Sequence, residues 1–67
     1  MFVQIKEYII NIEEIKVIKK INAGYGRFTI WICFRDETNN ISFTEKSEGD
    51  ANAVMNYLFT ACKNYKK

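Results

Sequence analysis

Catalysis in this chain would have to come from a short roster of side chains. Two cysteines, Cys33 and Cys62, are the candidate nucleophiles, and no histidine is present to activate either one. A thiol becomes reactive when a base or cation beside it favours the thiolate, so two unaccompanied cysteines read as small apolar residues of a core or an interface. They also fall short of the four Cys or His ligands that a structural zinc normally takes. Adjacent carboxylates stand at Glu13-Glu14 and Asp36-Glu37. Paired acid–base work needs two carboxyl groups facing one substrate, whereas neighbours on a strand diverge and neighbours in a turn are solvated. The run Asn22-Ala23-Gly24-Tyr25-Gly26 lacks both the Lys-Ser/Thr of a phosphate loop and the third glycine of a dinucleotide fingerprint. It reads as a connection between strands. The sequence therefore predicts no enzyme, no cofactor and no metal site.

Binding is the chemistry that remains. Arg27–Arg35 alternates: Phe28, Ile30, Ile32 and Phe34 fall on one face of a strand, and Thr29, Trp31 and Cys33 on the other. A solvated sheet face usually carries polar residues, so Trp31 and Cys33 mark a candidate protein contact. Tyr57 and Phe59, on the flanks of a C-terminal helix, are a second candidate. A different partner class is suggested by Lys16, Lys19, Lys20, Arg27 and Arg35 with the C-terminal lysines. Sheets bind single-stranded nucleic acid through aromatics ringed by cations. The net charge of only +2 and the lack of an aromatic RNA-binding signature make this the alternative reading.

The elements that must position these residues follow from length and pattern. A chain of 67 residues makes one domain (1–67) and buries only about 60% of its unfolded surface. Small domains of this kind are commonly aided by disulfides, metals or oligomerisation. One Cys33–Cys62 bridge is possible in principle, but residues 1–12 show no secretory leader. Reduced thiols and a cytoplasmic location are the expectation. Oligomerisation, as a homodimer or with a larger partner, is then the expected aid. No apolar run approaches the roughly 18 residues of a membrane span. Frequent Ile, Asn and Lys without proline fit an AT-rich genome.

Taken in order, the pattern predicts strands over about 2–10 and 15–21, separated by a tight or helical turn at Ile12–Ile15. One helix over Glu7–Ile21 is the rival, but its aliphatics scatter around the wheel at about 100° per residue, and its β-branched residues disfavour it. Strands over about 27–35 and 41–45 flank a turn at Asp36–Asn40, with Ile41 and Phe43 sharing the face of Phe28 and Ile32. A helix over about 50–64 follows, with Ser47 or Asp50 as its cap. Its stripe is Ala51, Val54, Met55, Leu58, Ala61, Cys62 and Tyr65. The expected fold is α+β: an antiparallel sheet of about four strands with one C-terminal helix packed across one face.

Tyr8-Ile9-Ile10-Asn11-Ile12-x-x-Ile15-x-x-Ile18, then Phe28-Thr29-Ile30-x-Ile32, a polar turn, a short strand and a helix resembles small bacterial and phage proteins. It is also loosely similar in layout to the flagellar FlbD family. The initial Asn-Gly hairpin typical of FlbD-like chains is missing here, and the resemblance carries over no functional residue.

Overall fold

The computed structural model describes residues 1–36 and 40–65. The fold is α+β, with five strands among the described residues where the pattern predicts four. They are β1 (Phe2–Ile5), β2 (Tyr8–Asn11), β3 (Ile15–Gly24), β4 (Arg27–Phe34) and β5 (Ile41–Glu45), followed by the helix α1 (Glu48–Tyr65). A single 3₁₀ turn, Ile12–Glu14, joins β2 to β3. The strands form two antiparallel sheets, a β1–β2 hairpin and a three-stranded β3–β4–β5 sheet. Of the turn expected at Asp36–Asn40, residues 37–39 lie outside the described part.

The extra strand comes from a turn that carries no turn-forming residue types. Ile5 pairs with Tyr8, leaving only Lys6 and Glu7 to reverse the chain. Lys6 adopts φ 55°, a region where Gly, Asn and Asp are usual. The expected strand over 2–10 is therefore two strands. At the next hairpin Gly24 pairs with Arg27, so the loop shrinks to Tyr25 and Gly26. Both have positive φ, 55° and 78°, as a type I′ turn requires. The helix is capped by Ser47, whose Oγ accepts the Asp50 N–H at 3.1 Å.

The core lies on one face of the three-stranded sheet. Ile30 and Ile32 from β4 are fully buried with Ala51 and Leu58 from α1. Ile5 and Ile10 from the hairpin and Ile12 from the 3₁₀ turn complete the cluster. Helix and hairpin thus share the covering of one sheet face, where the sequence predicts the helix alone. The hairpin is tied down by Tyr8 stacked on Phe43, with ring centroids 6.3 Å apart. Lys6 adds an ion pair with Glu45 at 3.0 Å and sits 5.6 Å from the centre of the Phe43 ring.

Register assigns every sheet residue to a face. Ile18, Ile32 and Ile41 form one row and Lys20, Ile30 and Phe43 the next, both towards the core. In β3 the register shifts between Ile15 and Val17 and again between Asn22 and Gly24, so Lys16 and Ala23 are the extra residues of two β-bulges. Between the bulges, Val17–Asn22 pairs regularly.

Candidate interaction surface

Alternation outward from the core rows leaves Val17, Lys19 and Ile21 of β3 on the other face. Arg27, Thr29, Trp31 and Cys33 of β4 join them, with Ser42 and Thr44 of β5. Across strands they make three rows: Val17 beside Cys33; Lys19, Trp31 and Ser42; Ile21, Thr29 and Thr44. No residue of the core cluster, or packed against it, belongs to this face. Val17, Ile21 and Trp31 remain 42, 43 and 37% exposed. β-Branched and aromatic residues are what a pleated surface holds best, and here they are arrayed for contact without a cover from the described chain. The Thr29 and Thr44 hydroxyls, 3.0 Å apart, bond to one another across the strands.

The sequence-predicted interface residues are only partly brought together. Trp31 and Cys33 share the open face. Tyr57 and Phe59 are exposed but sit on α1, on the far side of the sheet. Two positions apart on a helix means about 200° around it, so they do not form one patch with each other or with Trp31. The predicted basic set is dispersed as well. Lys19 and Arg27 share the Trp31 face. Lys20 turns towards the helix, donating to Asn52 Oδ1 at 2.7 Å and pairing with Glu48 at 3.4 Å, with its ammonium 5.3 Å from the Phe28 ring centre. Lys16 occupies the bulge. Arg35 is held at the 3₁₀ turn, its Nε donating to the Glu13 carbonyl at 3.1 Å and its backbone N–H to that of Glu14 at 2.8 Å.

Val17 and Ile21 belong to the open face and were absent from the predicted set. Their alternation with Lys19 was the available signal, obscured because Lys16 breaks the count at the bulge. Both cysteines are free. Cys33 lies on the open face and Cys62 packs against the core from α1, so the sheet separates them and a bridge within the chain has no route.

A second concavity of about 330 Å³ lies between the 3₁₀ turn, the start of β3 and the end of α1, with Glu13, Arg35, Cys62 and Tyr65 in its walls. The Tyr65 hydroxyl is held above its usual pKa, first by desolvation and then by its hydrogen bond to Glu13 and the charge there, with Arg35 opposing. A phenol shifted in that direction ionises less readily, so less of the nucleophilic phenolate is present at a given pH. Among the described residues no group of three or more His, Cys, Asp or Glu could hold a metal ion. Among the same residues no helix is long and apolar enough to cross a membrane. Compared with protein-family models, with curated proteins and with solved structures, the chain matches none.

Proposed function

We propose that this protein is a small non-enzymatic interaction module that binds another protein through the open face of its three-stranded sheet, with Trp31 and Cys33 at the contact. It acts in the cytoplasm with both thiols reduced, as a regulator or inhibitor of a larger partner or by pairing with a second copy. One observation carries the reading: Val17, Ile21, Trp31 and Cys33 lie together on a face that neither helix nor hairpin covers. Contiguous apolar surface of this kind is uncommon on soluble monomers and usually marks a contact. Trp is also among the residues enriched at the energetic centres of interfaces. A partner on that face would supply the second layer that a 67-residue chain cannot build on both sides of its own sheet.

Nucleic acid is the alternative occupant, supported by Lys19 and Arg27 on the face of Trp31. It is weakened by Lys20 and Arg35 being engaged elsewhere, and by the face offering one aromatic platform where strand-binding sheets use several.

The test compares wild type with Trp31→Ala by light scattering over a wide concentration range, and by quantitative capture of partners from the native host. The variant should keep its fold, lose self-association where wild type shows it, and lose captured partners. A wild type monomeric throughout, with the variant capturing the same partners equally well, refutes the proposal.

A further inference from the structure

We propose that the outer edge of β3 accepts an extended acidic segment of a partner protein as an additional strand; this rests on the open-face reading and names the partner's chemistry. β3 is ten residues long and, among the described strands, pairs only with β4. At its start the Ile15 N–H donates to the Ile12 carbonyl of the 3₁₀ turn, while among the described residues no backbone hydrogen bond from outside the sheet is seen along Val17–Asn22. An edge strand leaves about half its N–H and C=O groups pointing away from the sheet, a ready template for another strand. The bulges at Lys16 and Ala23 bracket Val17–Asn22, a regular stretch about as long as an average strand.

Charge selects the occupant. β3 contains Lys16, Lys19 and Lys20 and no carboxylate. The open face beside it adds Arg27, and none of its outward residues is acidic. Lysines on an edge are a known guard against pairing with further copies, and they act that way here. Two antiparallel copies of Val17–Asn22 place lysine opposite or diagonal to lysine in every register that pairs most of the stretch. Of these charges Lys19, beside Trp31 on the open face, is the one set to attract a carboxylate, since Lys20 is already paired with Glu48. Val17, Lys19 and Ile21 ask for an apolar, an acidic and an apolar side chain at alternate positions of the incoming strand. Because that triplet is symmetric, the strand satisfies it in either direction.

The probe is a blocked heptapeptide, Ser-Val-Ser-Glu-Ser-Val-Ser, with three comparators: the same peptide with Lys for Glu, the acidic peptide N-methylated at alternate amides, and oligothymidylate. Affinity is read by calorimetry and location by amide hydrogen exchange over residues 17–22. The acidic peptide should bind and slow exchange along β3. The Lys peptide should bind at least about tenfold more weakly, and Lys19→Glu should reverse that preference, as an intermolecular charge contact requires. N-methylation should abolish binding. Equal binding of the N-methylated peptide overturns the edge inference, because side chains alone then suffice, and leaves the open-face reading standing. Failure of every peptide to bind also overturns it, with Trp31→Ala deciding the open face separately. Tighter binding of oligothymidylate overturns it in favour of nucleic acid. Slow β3 exchange with a doubled mass in the free protein overturns it in favour of a second copy.

Discussion

Lys6→Met should loosen the hairpin by stranding Glu45. The Glu45 side chain is 11% exposed, while that of Lys6 is 47% exposed, and their charged atoms lie 3.0 Å apart. Removing one partner of a fully buried pair costs about 3–5 kcal/mol, because the remaining charge has lost its water and its counterion. An exposed pair is worth at most about 1 kcal/mol. With one partner buried and the other half in solvent, the cost falls between those limits, at about 1–2 kcal/mol. The lost cation over Phe43 adds a few tenths. In a domain this small each kcal/mol moves the midpoint by about 4–8 °C, so calorimetry should find Tm lowered by about 5–15 °C. Adding Glu45→Gln to Lys6→Met should recover part of that loss by removing the stranded charge. Amide exchange should show β1 and β2 opening before the β3–β5 sheet. A Tm for Lys6→Met equal to wild type would mean that the carboxylate finds water at no cost, and the assignment of the hairpin's tether to this pair would be wrong.

Tyr25→Asn should stabilise the domain by about 0.5–1 kcal/mol in chemical denaturation, since Tyr25 is fully exposed and sits at φ 55°, where Asn is tolerated better than Tyr. Leu58→Ala, at a fully buried site, should cost about 2–5 kcal/mol, enough to populate the unfolded state visibly by circular dichroism. Tyr65 has a folded pKa above the 10.0 it has when unfolded. Its contribution is therefore fully present below pH 10 and lost as pH rises through the folded value. Tyr65→Phe should flatten that alkaline decline in a pH series of thermal melts.

Much of this architecture was legible because its periods are clean. The alternation of Phe28–Phe34 and Ile41–Phe43 separates core from open face without help from tertiary structure. The helical stripe from Ala51 to Tyr65 contains the buried Ala51 and Leu58. The period of two also set Trp31 and Cys33 on one face. What escaped was local and had no residue signature. Lys6-Glu7 reverses the chain with a lysine at positive φ, so no glycine or asparagine announced the first hairpin. Lys16 bulges out of β3, so the sequence alone does not say which face the residues after it take. Lys19 and Lys20 look like one basic cluster in the sequence, yet adjacent strand positions face opposite ways, and only Lys19 joins Trp31. Tyr57 and Phe59 were grouped as neighbours in sequence, a proximity that helix geometry undoes.

The bulge at Lys16 also makes length, more than identity, the sensitive variable in β3. With Lys16 left out of the count, Ile15, Val17, Ile18, Lys19, Lys20 and Ile21 alternate without interruption, inward and outward in turn. The extra residue is a slack link, and excising it restores an uninterrupted ladder while every other side chain keeps its side of the sheet. Removing Lys19 has the opposite effect: the residues on one flank of the gap trade faces, so that either Ile18 turns to solvent and Val17 inward, or Lys20 turns outward and Ile21 takes its place over the core. A single-codon deletion scan through β3 should therefore find one forgiving position amid intolerant neighbours. That position would be a natural place for a label or a spacer.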